Sequence, residues 1–152
     1  MRYISCLLAA GLCIGCLFVK AQSAEDSVKA TVNQLFTAMK DADPVALQAT
    51  FADSAILQTI VTGKDGRTSV RTEPIPDFAK QIGKLPKGAA DERIQFDVIK
   101  IDGALAMVWA PYSFYYNGQL NHCGADSFQL VRIDGKWKIV YIIDTRRKHL
   151  CE

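Results

Sequence analysis

Once its first 21 residues are set aside, this chain has no excess of charge of either sign. Eighteen basic residues stand against 16 acidic ones over the full length, and Arg2 and Lys20 fall in the opening stretch, leaving 16 against 16. No basic stripe is present, which argues against nucleic acid or an anionic membrane surface as partner. Beyond residue 21 there is no apolar run of membrane-spanning length, no internal repeat, no low-complexity segment and no linker. Cysteine is scarce there too: of five cysteines, Cys6, Cys13 and Cys16 sit in the opening stretch and only Cys123 and Cys151 follow. Two histidines, His122 and His149, flank those cysteines. Their spacing matches no familiar zinc pattern, and neighbours on a strand point to opposite sides, so no metal is expected. No cofactor is expected either.

What is present begins with a secretory signal pattern. Met1-Arg2 supplies a positive start, Ile4 to Val19 is apolar, and small residues follow at Ala21, Ser23 and Ala24. The apolar stretch is shorter than the ~20 residues a spanning helix needs, so cleavage between 21 and 24 is expected, with no stable membrane insertion afterwards. Cys16 is a candidate for a lipid anchor, although the usual upstream leucine is missing. Residues 1–21 then form the leader and 22–152 one domain, large enough for a single core and exported to the periplasm or beyond. That compartment permits a disulfide between Cys123 and Cys151, which the sequence leaves open.

Within the domain, Ser23 and Asp26 resemble a capping box, and Val28, Val32, Leu35, Phe36 and Met39 recur at helical spacing. Asp43-Pro44 opens a short second helix through Leu47 to Phe51. Ala55 to Thr62 and Arg67 to Thr72 form a hairpin about Gly63 to Gly66, and Pro74 and Pro76 start a third helix ending at Gly83. Four strands follow, about Glu92 to Ile101, Ala104 to Tyr116, Leu120 to Ile133, and Lys136 to Arg147. Asp102-Gly103, Asn117-Gly118 and Asp134-Gly135 connect them, the dipeptides that two-residue hairpin turns prefer.

Such turns fix which residues oppose one another, provided no bulge intervenes. Trp109 is then expected opposite Asp126, Asp126 opposite Ile143, Phe128 opposite Tyr141, and His122 opposite Ser113 and Arg147. Phe96 and Val98 should oppose Trp109 and Met107. One face gathers Ile94, Phe96, Val98, Leu105, Met107, Trp109, Phe128, Leu130, Trp137, Ile139, Tyr141 and Ile143, and the helices should cover it. Towards one end it turns polar, with Ser113, His122, Asp126, Thr145 and Arg147. An apolar sheet with a polar end, roofed by helices, makes a funnel for a small molecule. The opposite face, with Val108, Ala110, Tyr112, Phe114, Val140 and Ile142, is too apolar for exposure and is expected to form a homodimer.

This order of elements resembles the nuclear-transport-factor-two-like, or cystatin-like α+β cone, superfamily, and Phe51-Ala52-Asp53-Ser54-Ala55 resembles the first strand of its polyketide-cyclase-like members. More narrowly, Trp109-Ala110-Pro111-Tyr112, His122-Cys123-Gly124, Phe128-Gln129-Leu130, Trp137-Lys138-Ile139 and Asp144-Thr145-Arg146-Arg147 resemble secreted bacterial proteins of a putative lumazine-binding family. The resemblance implies an α+β roll: N-terminal helices on a strongly curved antiparallel sheet of about six strands. The superfamily holds isomerases, cyclases, dehydratases and non-catalytic binders, so it implies no single activity. No flavin or pteridine motif supports the lumazine label independently.

The leading expectation is a secreted binder of an apolar or ring-containing molecule, contacted by Trp109, Ser113, Phe128, Tyr141, Thr145 and Arg147. The alternative is a cofactor-independent isomerase, cyclase or dehydratase using Asp126 or His122 as acid/base. Those two, four residues apart on a strand, lie about 13 Å apart and act through the substrate if at all. A structural network of His122 with Ser113 and Asp126 with Arg147 competes with both readings, and a third class is an interaction module built on the outer sheet face.

Overall fold

The computed structural model describes residues 23–63 and 65–151. The expected leader, with Cys16, lies outside the described residues. Ser23 caps helix α1 (Ala24–Lys40) by accepting a 3.0 Å hydrogen bond from the Asp26 amide. The helix buries Val28, Val32, Leu35, Ala38 and Met39 along one stripe. Asp43 accepts from the amides of Val45 and Ala46 to start α2 (Pro44–Ala49), whose fixed proline φ suits the first turn. Strands β1 (Phe51–Thr62) and β2 (Thr68–Glu73) form a hairpin, and α3 (Ile75–Ile82) follows.

The remaining strands are β3 (Ala90–Ile94), β4 (Val98–Asp102), β5 (Leu105–Tyr116), β6 (Gln119–Ile133) and β7 (Lys136–Thr145). The sheet runs β2-β1-β7-β6-β5-β3, with β4 also paired to β5. The expected strand from Glu92 to Ile101 is thus broken at 95–97 into two segments along one partner. All pairs are antiparallel except β1 with β7, which is parallel, so the sheet is mixed where an antiparallel one was expected. Helix α1 and its neighbours cover one face, and Phe36 meets Phe128 edge-on at 6.1 Å across the layers.

The two Asn/Asp-Gly turns close as expected, with positive φ at Asn117, Gly118, Asp134 and Gly135. Tyr116 pairs with Gln119 and Ile133 with Lys136. Further along, each hairpin slips by one residue. Between β5 and β6 the extra residue is Asn121, so Phe114 opposes His122, Ala110 opposes Asp126 and Trp109 opposes Ser127. Between β6 and β7 it is Val140, so Phe128 opposes Ile142 and Asp126 opposes Asp144. At the third turn Asp102 pairs with Leu105, a two-residue displacement that sets Val98 opposite Trp109.

A one-residue slip exchanges the faces of everything beyond it. Along β5, Val108, Ala110 and Tyr112 therefore turn inward and are buried, whereas Leu105 is 50% and Trp109 40% exposed. Along β7, Trp137 and Ile139 point into the core as expected, but past Val140 the inward residues are Ile142 and Asp144. On β6, Asp126, Phe128 and Leu130 keep the expected inward direction. Of the surface assigned to a homodimer, Val108, Ala110, Tyr112, Phe114 and Ile142 consequently lie on the inner side of the sheet.

Candidate functional site

A cavity of about 150 Å³ lies between α1, α3 and the inner face of the sheet. Leu35, Phe36 and Met39 from α1, Phe78 and Ile82 from α3, and Phe128 and Ile142 from the sheet make its walls apolar. Its polar end is formed by Glu92 of β3, Tyr112 of β5, His122 and Asp126 of β6, and Asp144 and Arg146 at the end of β7. The helices thus contribute grease and the sheet contributes chemistry.

Asp144 is the hub of one network. It accepts from Thr59 Oγ1 at 2.6 Å on Oδ1, and from Arg146 Nε at 2.8 Å on Oδ2. The Tyr112 hydroxyl lies 3.3 Å from Asp144 Oδ2 and donates at 2.9 Å to the Thr145 carbonyl. Arg146 also reaches Thr59 Oγ1 at 3.2 Å. Burial, reinforced by the charges of Asp144, Glu92 and Asp126, pushes the Tyr112 phenol far above its ordinary range, so it stays a neutral donor.

Glu92 and Asp126 both line the polar end of the cavity, and the charge of each bears on the proton held there. Burial raises Glu92 to about 7, aided by the negative charge of Asp144. Asp126, only 4% exposed, is raised well above the carboxylate range by burial and then by the charges of Glu92 and Asp144. Asp126 Oδ2 is buried without any hydrogen-bond partner. Native proteins rarely leave such an atom unsatisfied, so this oxygen is a point at which a donor from outside the fold can bind.

His122 stands at the rim. Its ring packs edge-on against Tyr112 at 5.6 Å and tilted against Phe114 at 4.9 Å, and Nδ1 lies 2.9 Å from Asn121 Oδ1. Because an amide oxygen only accepts, the proton of the neutral ring sits on Nδ1, leaving Nε2 as an acceptor. Burial, then the nearby Arg146 charge, lowers its pKa and keeps it neutral at pH 7.

Of the residues expected at this site from sequence, His122, Asp126 and Phe128 line the cavity, and Trp109, Ser113, Tyr141, Thr145 and Arg147 do not. Trp109 faces out after the Asn121 slip. Ser113 and Arg147 line a groove on the other side of the sheet. Past Val140, the Tyr141 hydroxyl donates to Gln58 at 2.7 Å and the Thr145 hydroxyl accepts from the Ala125 amide at 3.1 Å. Arg147 pairs in the ladder with Cys123, and Arg146 takes the inward position expected of Arg147. Glu92, Tyr112, Asp144 and Arg146 were not foreseen. Glu92 alternates with Ile94 and Phe96, so one further step of the period-two pattern reaches it.

Cys123 and Cys151 are joined in a disulfide with Cα atoms 5.6 Å apart, which pins the tail after Arg147 to β6 and removes both thiols from metal binding. Among the described residues no cluster of three or more His, Cys, Asp or Glu is placed to hold a metal ion. None of the described helices is long and apolar enough to cross a membrane.

Comparison with known proteins gives a consistent picture. The family described as putative lumazine-binding matches residues 23–142. No curated protein matches the chain significantly. Among solved structures, an NTF2-like protein of unknown function from Methylobacillus flagellatus superposes with TM-score 0.62 at 23% identity, over 84% of this chain and 96% of that one. One from Shewanella baltica gives 0.62 at 18%, over 81% and 93%. A cystatin-like domain of unknown function from Nostoc punctiforme gives 0.64 at 18%, over 83% and 78%. At these identities the likeness concerns the fold.

Proposed function

The chain belongs to the putative lumazine-binding family, and from that premise we propose that it binds a compact, ring-containing small molecule between its helices and its curved sheet. The observation that carries the reading is an apolar cavity ending on a buried carboxyl oxygen with no partner. A volume of about 150 Å³ is close to that of an apolar cavity known to admit one benzene ring, and below the ~300 Å³ at which pockets for larger ligands begin. The space therefore favours a single ring with a short polar arm over a bulky polycyclic ligand. The test is a panel of monocyclic compounds followed by NMR shifts of Phe128, Ile142 and His122. Binding should be lost in Ile142→Trp, which fills the cavity, provided that variant keeps its melting transition. A panel that moves none of these resonances would sink the proposal.

Catalysis is the second reading, favoured by two carboxyls lining the same end of one cavity. A Glu92 poised near 7 beside Asp126 can give or take a proton at neutral pH, and neutral His122 Nε2 is a second acceptor at the rim. That is the equipment of an isomerase, cyclase or dehydratase that needs no cofactor. Asp126→Asn divides the readings: a binder keeps its affinity for a neutral ligand, whereas a catalyst keeps binding and loses turnover.

The leader pattern and the disulfide both support export of a mature domain of residues 22–152 to an oxidising compartment. A homodimer remains part of the proposal, through the true outer sheet face, where Trp109, Ile56 and Val70 are exposed.

A further inference from the structure

The polar end of the cavity holds a surplus of carboxyl groups whose countercharge is missing. The groups facing it are Glu92 from β3, Tyr112 from β5, His122 and Asp126 from β6, and Asp144 and Arg146 from β7. Glu73, at the end of β2, is bonded to Gln81. The stretches of α1 and α3 that line the cavity add no charge. The one cation, Arg146, is committed to Asp144 and Thr59. The Tyr112 hydroxyl is spent on Asp144 and the Thr145 carbonyl. Neutral His122 donates its single proton to Asn121. Among the described residues no amide, hydroxyl or basic side chain donates to Asp126 Oδ2.

Resting on the reading that this cavity takes a small ring, we propose that the ligand carries a basic nitrogen, a primary ammonium or a protonated ring nitrogen, seated between Glu92 and Asp126. An ammonium brings three donors and a positive charge to two carboxyls with which no basic side chain among the described residues forms an ion pair. A neutral ligand with only acceptors can take at most a proton from the pair and leaves the other lone pairs bare. An anion is repelled outright. The walls agree, since Leu35, Phe36 and Met39 of α1 and Phe78 and Ile82 of α3 offer the ring an apolar surface.

Seating the cation expels the proton that the pair holds, and this gives the inference a signature in pH. Burial keeps Glu92 protonated up to about 7. An ammonium therefore binds more tightly as pH rises from 6 to 8 and the pair ionises. A neutral acceptor that relies on the acid proton weakens over the same range.

The experiment titrates the purified protein with benzylamine, benzyl alcohol and benzoate, three probes sharing one ring, by calorimetry at pH 6, 7 and 8. Benzylammonium should bind about tenfold or more tighter than the alcohol, as expected for a charge-assisted hydrogen bond, with the margin widening at higher pH. Glu92→Gln with Asp126→Asn should abolish the margin while the alcohol still binds. Should the alcohol or benzoate bind as tightly as benzylamine at pH 8, the basic nitrogen is wrong and the ring-binding cavity stands. Should none of the three bind or move the cavity resonances, both readings fall. The wild-type series decides this even if the double variant does not fold.

Discussion

Gly124 shows how closely the polar end is built. A methyl group there would lie 1.8 Å from the Thr145 carbonyl oxygen and 2.8 Å from the Tyr112 ring. Its backbone is not in the left-handed region, so the requirement is for space alone. That space lets the Thr145 carbonyl accept from Tyr112, which holds the end of β7 where Asp144 and Arg146 face inward. Gly124→Ala is expected to cost about 2–3 kcal/mol, as overpacking of a tight interior does, measured by urea denaturation with Tyr112 resonances as reporter. An unchanged midpoint would mean that β7 moves aside freely. The carboxyl pair sets a second expectation. In the unfolded chain Glu92 titrates near 4.5, whereas the folded protein raises it to about 7. Between those values the folded state holds more protons than the unfolded one, so this contribution to stability is full below about 4.5 and is lost as pH rises through 7. Wild type should lose on the order of 2 kcal/mol over that window relative to Glu92→Gln with Asp126→Asn. Parallel pH–stability curves for the two proteins would show that the pair is solvated.

Among the elements, turns were legible and bulges were not. Asn117-Gly118 and Asp134-Gly135 announce positive φ at two successive residues, a local demand that few other dipeptides meet. Asn121 and Val140 announce nothing, because any residue can be the extra one. Their effect is nonetheless the larger. Val140 sits in a strand apolar on both parities, Ile139 and Tyr141 against Val140 and Ile142, so either face reads as the inner one. Alternation therefore favoured Tyr141, Thr145 and Arg147 where the fold turns Ile142, Asp144 and Arg146 inward. On β6 only Asp126, Phe128 and Leu130 gave one parity with large apolar neighbours, and there the inward direction was read correctly. The β7 bulge is itself testable: deleting Val140 should restore the plain register, turn Asp144 outward and break its bonds to Thr59 and Tyr112. Loss of cooperative unfolding or of the Thr59–Asp144 contact by NMR is the expected result. The tail is a separate element held by the disulfide, which closes a loop of 28 residues' separation. Its removal in Cys123→Ser with Cys151→Ser should cost about 3–4 kcal/mol by the chain-entropy estimate, read as a lower denaturation midpoint.

For the whole molecule, the exchange of faces moves the proposed dimer interface to the other side of the sheet. The outward residues form rows across the strands: Val98 beside Trp109, then Ser127, Ile143 and Gln58. Trp109 at 40%, Ile56 at 47% and Val70 at 53% exposure place large apolar surface on this side of the sheet. Helices cover the other face, so only this one is free to meet a second copy. An isologous contact suits it, because a two-fold axis over the sheet centre sets each apolar row against its own copy. Stable dimers of this kind bury about 800 Å² per partner, an area that a face of four or five strands can provide. Sedimentation equilibrium of the wild type should therefore return twice the chain mass at micromolar concentration. Trp109→Glu should return the single-chain mass and leave probe binding in the cavity unchanged, since the two sites lie on opposite faces. A wild type that stays monomeric at hundreds of micromolar, with Trp109 as quenchable as a free indole, would leave the outer face without a self-association role.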